Sequence, residues 1–374
     1  MAVLCIVGTR PEVVKMAPVF RALEVKGLEP RLIAAAQHRE MLDQALESFG
    51  LHPEVDLDAM RPAQRLSDLT AALVPALDRV IAGSDAQAVL AQGDSATVLC
   101  AALASYYAKV PFAHIEAGLR TGCLYSPFPE EGTRRLTAVV TRWHFAPTEG
   151  ARRQLLAEGH CADSIHVVGN TVIDALLGTL HAGDLPWPAS VPLPGPGMRL
   201  VLMTLHRREV HGSPLERMVE AVRGFLRAHP DALLVWPVHP NPQVAREAQA
   251  LRGEPNARLL PPLGYRTLLA VLSRCDLVLT DSGGLQEEAP ALGKPVLVLR
   301  NETERPEGLT AGSSRIAGTD PQRIRAELEA VWGDMKLYAA MAVPRFPFGE
   351  GGAATRIAQV LAADLPACVP GAVG

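Results

Sequence analysis

Short, continuously apolar runs alternate with longer amphipathic stretches along almost the whole of this 374-residue chain. The runs are rich in β-branched and aliphatic residues, and they do not alternate polar with apolar positions. Continuous runs are typical of strands that are buried on both faces, and strands separated by helices form parallel sheets. The pattern therefore predicts an α/β fold built from βαβ units.

The apolar runs and the helical patterns can be placed along the chain. The predicted strands are Val3–Val7, Arg31–Ala35, Ala88–Ala91, Phe112–Ile115, His144–Ala146, His166–Val168, Leu200–Met203, Leu233–Pro237, Asp276–Thr280, Val296–Leu299 and Ser314–Ala317. The clearest helical patterns are Met41–Phe49, Leu66–Ile81, Leu215–Ala228 and, near the C-terminus, Ala353–Ala363. The strands fall into two groups, of about six and about five members.

A proline-rich segment separates the two groups of strands. Residues 183–197 contain five prolines and little periodicity, which is typical of a semi-rigid linker between domains. We therefore predict an N-terminal domain over 1–182 and a C-terminal domain over 198–347. A final helix within about 348–366 is expected to pack back on the first domain.

Composition excludes several classes of protein. The 36 basic and 40 acidic side chains give a formal charge of −4, whereas a nucleic-acid-binding protein needs a strongly basic face. Apolar residues make up 48% of the chain, yet none of the apolar runs reaches the roughly 18 residues of a membrane span. The six cysteines include no CxxC pair, which argues against a thiolate zinc site and favours the reducing cytoplasm.

Basic residues follow the first predicted strand. The sequence Gly8-Thr9-Arg10-Pro11-Glu12 leads into a helical pattern, and Pro11 suits the first position of a helix. Arg10 and Lys15 would then lie near a positive helix end that suits an anion. The alternative is that both are ordinary basic residues on an exposed helix start.

Three carboxylates follow later strands or open a helix in the same half. Asp94 and Glu116 come at the ends of two strands, and Glu130 begins a helical pattern that continues through Arg134. Each carboxylate alone would fit a helix cap. Because ligands bind at the carboxyl ends of parallel strands, we expect the three to converge there. Carboxylates that share a cleft can carry out acid–base chemistry at carbon.

The second half contains the strongest local signal for a ligand. The strand over 276–280 is followed by Ser282-Gly283-Gly284 and a helical pattern that contains Glu288. The two glycines would let backbone N–H groups approach a diphosphate at a helix N-terminus. Glu288 could accept hydrogen bonds from the hydroxyls of a ribose. The alternative is a glycine turn with a buried structural carboxylate.

Other candidate groups lie at predicted strand ends, and several known motifs are missing. His206 and His239 follow strands of the second half, and Arg305 lies just beyond a later strand. No GxGxxG follows a strand, so the sequence gives no support to a dinucleotide-binding enzyme. It also contains no P-loop for nucleotide phosphates and no HExxH motif of zinc enzymes. The DxD sequence at 56–58 is interpreted as a solvated loop.

Ten motifs occur in a fixed order, and together they are far more specific than any one of them. They are GTRPEVVKMAPV (8–19), AQHREMLDQ (36–44), QGDSATV (92–98), HIEAGLRTG (114–122), PEEGTRR (129–135), GNTVIDAL (169–176), HRRE (206–209), PVHPNP (237–242), DSGGLQEEAPALGKPVLVLR (281–300) and TERPEGLTAGS (303–313). In this order the chain resembles the non-hydrolysing UDP-N-acetylglucosamine 2-epimerases, over about residues 4–360.

The resemblance implies a fold and an activity. The fold would be two Rossmann-like domains with parallel sheets, of the glycosyltransferase-B type, with the active site in the inter-domain cleft. The activity would be the interconversion of UDP-N-acetylglucosamine and UDP-N-acetylmannosamine without NAD, metal or another cofactor. The resemblance also implies a cytoplasmic homodimer that supplies N-acetylmannosamine units to surface polysaccharides.

The resemblance also assigns roles to residues at matching motif positions. The catalytic positions are Asp94, Glu116, Glu130 and His206. The nucleotide-sugar contacts are Arg10, Lys15, Arg134, Ser282, Gly283, Gly284, Glu288 and Arg305. Some members bind a second UDP-N-acetylglucosamine as an effector, and the matching positions are Gln37, His38, Arg207 and His239. The chain departs from the family pattern at several positions: Glu40 stands where activated members can have glutamine, Leu205 replaces a usual glycine, and Cys123, Gly132 and Thr133 also differ from the usual residues.

The expected reaction is elimination of UDP to a glycal, followed by reprotonation of C2 from the opposite face and return of UDP. Two faces require two proton-handling groups, which a cluster of carboxylates can supply. Three alternatives stay open at this point: a hydrolysing epimerase that releases N-acetylmannosamine and UDP, a glycosyltransferase of the same fold, and a nucleotide-sugar sensor. The sequence does not assign the carboxylates to the two faces of C2.

Overall fold

The first strand of the chain is buried along its whole length, as the apolar run Ala2–Val7 predicts. It lies at the centre of a parallel sheet, so both of its faces are covered. The structure is a computed structural model that describes residues 1–35, 39–61, 64–183, 185–207 and 212–365. Gln37 and His38, two of the proposed effector positions, lie outside the described residues.

The helices and strands can be given in chain order. The first group is β1 (Ala2–Val7), α1 (Arg10–Val25), β2 (Glu29–Ala34), α2 (Arg39–Phe49), β3 (Val55–Asp56), α3 (Leu66–Ala82), β4 (Ala88–Gln92), α4 (Ala96–Tyr107), β5 (Phe112–Ile115), α5 (Glu130–Val139), β6 (Trp143–Ala146), α6 (Glu149–Ala157), β7 (Ile165–Val167) and α7 (Thr171–His181). The second group is β8 (Arg199–Thr204), α8 (Ser213–Ala228), β9 (Ala232–Pro237), α9 (Pro242–Ala248), β10 (Ala257–Leu260), α10 (Tyr265–Leu272), β11 (Leu277–Thr280), α11 (Gly283–Ala291), β12 (Val296–Val298), α12 (Pro306–Thr310), β13 (Ser314–Ile316), α13 (Pro321–Gly333), α14 (Met335–Met341) and α15 (Ala353–Asp364).

The chain divides into two compact units. Unit 1 comprises Met1–Gly178 and Phe348–Gly374, and unit 2 comprises Thr179–Pro347. The division falls inside α7, and the predicted linker at 183–197 is grouped with unit 2, so its role as a linker stays a prediction. Helix α15 belongs to unit 1, where it packs against α1.

Unit 1 contains a seven-stranded parallel sheet. Its strand order is β3-β2-β1-β4-β5-β6-β7. One apolar core covers a face of this sheet and includes Leu4 and Ile6 of β1, Val98 of α4, and Leu73 and Leu77 of α3. Helix α3 places its buried leucines four residues apart, which gives it a single apolar stripe.

Unit 2 contains a six-stranded parallel sheet with the order β10-β9-β8-β11-β12-β13. Its core joins α8 and α13 to the strands and includes Trp236, Phe225, Ile324 and Leu205. Leu205, where the resemblance leads one to expect a glycine, is 1% exposed, so its side chain is accommodated within this core.

Both sheets reverse their strand order at one point. In unit 1, β2 and β3 follow β1 towards one edge of the sheet, and β5, β6 and β7 follow β4 towards the other edge. In unit 2, β9 and β10 follow β8 towards one edge, and β12 and β13 follow β11 towards the other. At such a point the loops after the two strands diverge to opposite faces and leave a crevice outside the carboxyl ends. These two places are therefore where ligand-binding side chains are expected.

The predicted strands are all present, with ends that differ by one or two residues. Two strands were missed, β3 and β10, and both lie at sheet edges. Pro11 is the second residue of α1 and not the first, because the helix begins at Arg10. None of the helices in the described ranges has both the length and the apolar character to span a bilayer.

Candidate active site

The start of α1 is fixed by a buried carboxylate. Oε2 of Glu12 accepts hydrogen bonds from the backbone N–H of Gly8, at 2.6 Å, and of Thr9, at 3.2 Å. Burial raises the pKa of Glu12 to about 7, although these hydrogen bonds act in the opposite direction. Arg10 is the first residue of the helix, which begins shortly after β1, and it is partly buried.

Glu116 is held by three donors at the carboxyl end of β5. Its Oε2 accepts from the ammonium of Lys15, from Nε2 of Gln92 at 2.8 Å and from Nδ2 of Asn170 at 3.4 Å. The backbone of Glu116 has a φ of +68°, which a residue with a side chain adopts only when its surroundings impose it. Lys15 is 4% exposed, so the pair is almost completely removed from water.

Asp94 is bound by an arginine from α5. Nη1 of Arg134 lies 2.6 Å from Oδ2 of Asp94, and Nη2 lies 3.1 Å from Oε2 of Glu131. Arg134 is 1% exposed, and Asp94 keeps a partly exposed side chain. Glu130 begins α5 one turn before Arg134, so the two side chains leave the same face of the helix.

A neutral histidine supports the loop that carries Asp94. Nε2 of His114 lies 2.7 Å from the carbonyl oxygen of Gly93, and the ring is fully buried in β5. Burial is the main cause that lowers the pKa of His114 to about 4, so the ring is neutral near pH 7 and donates through Nε2. This bond joins the turn after β4 to the neighbouring strand.

The convergence of the three carboxylates at one edge of the sheet stays a prediction, and the structure shows how two of them are placed and bound. Asp94 and Glu116 follow neighbouring strands, and Arg134 connects α5, which carries Glu130, to Asp94. Arg134 binds Asp94 and Lys15 binds Glu116, so these two carboxylates are not bare acids. Lys15, which was expected at an anion-binding helix end, makes an ion pair with Glu116.

In unit 2 His206 lies against a buried aspartate. Nδ1 of His206 is 2.8 Å from Oδ1 of Asp281, and Oδ2 of Asp281 accepts from the backbone N–H of His206 and Arg207, at 2.9 and 2.8 Å. Burial alone would raise the pKa of Asp281, but the histidine and the two N–H donors hold it at about 2. Asp281 is 0% exposed and is a carboxylate at any moderate pH.

The glycine turn after β11 leads directly into α11. Ser282 caps the helix and Gly283 is its first residue, so the first backbone N–H groups lie at the positive end of the helix dipole. The backbone N–H of Ser282 donates to Oγ1 of Thr280 at 2.9 Å, which fixes the turn. This is the geometry that was predicted for a diphosphate site.

Arg305 packs beneath this turn and is held by two buried carboxylates. Its Nε donates to Glu287 at 2.6 Å, and its Nη1 donates to Glu304. Glu304 also accepts from Arg207 at 3.3 Å and from Arg300 at 2.7 Å. Arg305 is therefore fixed in place. Arg207, an expected effector residue, binds the same carboxylate as Arg305, that of Glu304.

Glu288 is buried and bonded to a tyrosine. The hydroxyl of Tyr265 donates to Oε1 of Glu288 at 2.8 Å. Burial is the largest of the causes that raise the pKa of Tyr265, so the hydroxyl keeps its proton and donates a hydrogen bond throughout the physiological pH range.

His239 is the remaining effector position. Its ring lies 5.9 Å from that of His206, and its Nδ1 accepts from the backbone N–H of Asn241 at 3.2 Å.

Sequence reasoning missed several residues that hold the predicted ones. Asp281 follows directly after a strand, so the rule that identified Asp94 could have found it. Glu131 adjoins Glu130 in the same motif. Asn170 carries no local signal, because its partner Glu116 is distant in the sequence. Glu304 lies next to Arg305, but its contact with Arg207 joins residues that are distant in the sequence.

Known proteins are similar to this chain over almost its whole length. A family model described as UDP-N-acetylglucosamine 2-epimerase matches residues 21–362. The probable UDP-N-acetylglucosamine 2-epimerase of Ralstonia solanacearum is 44% identical over 369 residues, which cover 96% of this chain and 98% of that one. The UDP-N-acetylglucosamine 2-epimerase of Escherichia coli K12 is 42% identical with the same coverage.

A solved structure shows the same similarity in three dimensions. The crystal structure of UDP-GlcNAc 2-epimerase from Neisseria meningitidis, bound to UDP-GlcNAc, superposes with a TM-score of 0.93. The two chains are 40% identical, and the alignment covers 96% of this chain and 99% of the other.

Proposed function

This chain belongs to the UDP-N-acetylglucosamine 2-epimerase family, and we propose that it interconverts UDP-N-acetylglucosamine and UDP-N-acetylmannosamine by inverting C2 of the sugar. One observation supports this proposal most strongly. At the carboxyl edge of the sheet in unit 1, Asp94 and Glu116 follow neighbouring strands, and each is bound by a buried cation. Carboxylates fixed in this way can accept and return a proton.

The reaction that fits these groups is an elimination followed by an addition. The C2–H bond breaks, and its electrons form a C1–C2 double bond. The C1–O bond breaks at the same time, and its electron pair leaves with the β-phosphate of UDP. The resulting glycal takes a proton at C2 from the opposite face, and UDP adds back to C1 to give the epimer.

We assign proton transfer to the carboxylates of unit 1. Asp94, Glu116 and Glu130 supply the groups that serve the two faces of C2. Lys15 balances the charge of buried Glu116, which an isolated carboxylate could retain only at a large desolvation cost. Arg134 orients Asp94 through a charge-assisted hydrogen bond.

We assign the nucleotide mainly to unit 2. The backbone at Ser282–Gly284 and the guanidinium of Arg305 would stabilise the negative charge that grows on the departing diphosphate. Glu288, oriented by Tyr265, would accept hydrogen bonds from the ribose hydroxyls. Arg10 of unit 1 is the remaining cation that we assign to the diphosphate, and His206 is assigned to the leaving oxygen.

The test is to incubate the purified protein with UDP-N-acetylglucosamine alone and to follow the reaction by phosphorus NMR. We expect a second intact UDP-sugar, identified as UDP-N-acetylmannosamine, and no net release of UDP. Glu116→Gln should lower kcat by about 10²–10⁴-fold because it removes a proton acceptor. Accumulation of free UDP would instead indicate a hydrolysing enzyme, and no turnover without an acceptor would indicate a glycosyltransferase.

We also propose that the enzyme is a homodimer. Unit 1 carries a patch of large exposed apolar side chains on α5 and the preceding loop: Leu124, Tyr125, Phe128, Leu136 and Val139. The rings of Tyr125 and Phe128 lie 6.4 Å apart, and a Cβ added at Gly132 of α5 would lie 3.7 Å from Cδ1 of Leu124. A contiguous patch of this kind supports a two-fold interface between copies of the chain.

A cytoplasmic location is proposed as well. The five cysteines of the described ranges are free thiols, and Cys123 and Cys161 among them are exposed. Exposed thiols persist in a reducing compartment, whereas secreted proteins usually pair them.

A further inference from the structure

Glu131 is a buried carboxylate to which the proposed reaction assigns no step. It is the second residue of α5, next to Glu130, and it is 0% exposed. Its Oε2 accepts hydrogen bonds from Nη2 of Arg134 and from the backbone N–H of Thr121, both at 3.1 Å. Its Oε1 accepts from Nε of Arg135, also at 3.1 Å. The charge of this buried group is therefore compensated by donors on both oxygens.

Arg134 divides its guanidinium between two carboxylates. Nη1 lies 2.6 Å from Oδ2 of Asp94, and Nη2 is the nitrogen that Glu131 binds. An arginine that faces a single carboxylate commonly binds both of its oxygens through two parallel hydrogen bonds, because the guanidinium is a planar fork. Here, within the described ranges, Oδ1 of Asp94 makes no hydrogen bond or ion pair. The side chain of Asp94 is 28% exposed, so this carboxylate is oriented by Arg134 and still accessible.

We propose that Glu131 is a positioning residue that holds Nη2 of Arg134 and thereby restricts Arg134 to one oxygen of Asp94. This inference rests on the proposed function. In the direction of the reaction in which Asp94 is the base, the proton of C2 moves to Oδ1 and the electrons of the C–H bond form the C1–C2 double bond. An arginine that bound both oxygens would occupy the atom that has to accept this proton.

Glu131 also fixes the loop after β5. The N–H of Thr121 that it accepts belongs to the loop that follows Glu116, so one carboxylate connects α5 to that loop as well as to Arg134. Its effect on activity could therefore come from the loop alone. The experiments have to separate this structural effect from the effect on Arg134.

The first comparison uses two replacements of similar size. The amide oxygen of Glu131→Gln can still accept from Arg134 and Thr121, whereas Glu131→Met offers no comparable acceptor. We expect kcat of Glu131→Met to fall by about 10²-fold with little change in KM, because the base is misplaced while the nucleotide is bound elsewhere. Glu131→Gln should lose less than about tenfold. Equal losses of kcat in the two variants would overturn the proposal.

A second background distinguishes positioning from a general effect on the fold. Arg134→Lys replaces the fork by a single ammonium, which cannot bind both oxygens of Asp94 through parallel hydrogen bonds. In this background Glu131→Met should lower kcat by less than about threefold, because the two positions are coupled. If Glu131 acts only through the loop at Thr121, its replacement should cost the same in both backgrounds, and that result would overturn the proposal.

The matched control is Glu158→Met. Glu158 is also a carboxylate of unit 1 that binds arginines: it accepts from Nε and Nη2 of Arg120 at 2.8 and 2.7 Å, and it lies 4.0 Å from Nε of Arg135. Its ion pairs within the described residues do not include Arg134. We expect kcat of this variant to stay close to that of the wild type. A loss as large as that of Glu131→Met would attribute the effect to any broken ion pair in this region and would overturn the proposal.

Crystal structures of the variants show the contact of Arg134 without a measurement of activity. We expect Arg134 to contact one oxygen of Asp94 in the wild type and in Glu131→Gln, and both oxygens in Glu131→Met. If Glu131→Met does not fold, Glu131→Gln still tests the proposal. A contact to both oxygens with unchanged kcat, or a contact to one oxygen with kcat as low as expected for Glu131→Met, would refute it. A folded wild type that does not epimerise its substrate would instead refute the proposed function, and the crystal structures would still show whether Glu131 restricts Arg134.

Discussion

At the scale of single residues, Gly283 shows why a small side chain is needed at the start of α11. A Cβ added there would lie 2.5 Å from Cζ of Arg305 and within 2.7 Å of both terminal nitrogens. Arg305 cannot move aside freely, because Glu287 and Glu304 bind its guanidinium. The glycine therefore lets a buried guanidinium pack directly beneath the proposed diphosphate site.

Gly283→Ala should consequently lower the free energy of unfolding by about 1–3 kcal/mol, the usual cost of overpacking. Gly284→Ala is the control, since a Cβ added there meets nothing nearer than Oε2 of Glu288 at 3.9 Å. We expect the control to be neutral or to stabilise the helix by up to about 1 kcal/mol. Urea unfolding of the three proteins measures the difference, and equal stabilities of the two variants would contradict the packing that we describe.

The sequence predicts the residues at strand ends better than it predicts their partners. Asp94 and Glu116 were found because each follows an apolar run in a parallel sheet. Lys15 was predicted to lie near an anion-binding helix end, but its ion pair with Glu116 spans 101 residues and follows no spacing rule. Asn170 was missed for the same reason, since its contact with Glu116 depends on how the loop before α7 returns to the sheet.

At the scale of elements, α5 has two faces with different tasks. Its buried face carries Arg134, which connects Asp94 to Glu131 and places the start of the helix near the strand ends. Its other face carries Leu136 and Val139, which are 60% and 76% exposed. A second copy of the chain that covers this face would stabilise the helix that carries the proposed catalytic Glu130.

Val139→Asp tests that interface. An aspartate in the middle of an apolar contact would have to be desolvated, so we expect the variant to sediment as a monomer where the wild type sediments as a dimer. Val25→Asp is the matched control, because Val25 is also the last residue of a helix, is 85% exposed and lies outside the patch. A dimeric Val139→Asp variant, or a monomeric wild type, would show that the patch is not the interface.

The strands that sequence patterns missed, β3 and β10, are two of the four edge strands. β3 has two residues, and β10 has an exposed arginine at its second position and only one fully buried residue. A strand at the edge of a sheet is covered less than a central one, and these two lack the continuous apolar run by which the others were predicted. Central strands such as β1 and β4 are buried at every position and were located to within two residues.

At the scale of the whole molecule, the two sheets share one topology although no internal repeat is visible in the sequence. Each sheet reverses its order beside the first strand of its unit, β1 or β8. The proposed proton-handling carboxylates follow β4 and β5, and the proposed diphosphate site follows β11. Hydrophobic patterning alone therefore predicts the fold class and the position of the site, whereas the pairing of charges needs the structure.

The central claim is that C2 loses its proton during epimerisation, and the deuterium content at C2 tests it most directly. The measurement is to convert UDP-N-acetylglucosamine in D₂O and to determine deuterium at C2 of the UDP-N-acetylmannosamine by proton NMR and mass spectrometry. We expect nearly every product molecule to carry solvent deuterium at C2, and recovered substrate to acquire it as the reaction reverses. Full conversion with the original hydrogen retained at C2 would contradict the elimination mechanism.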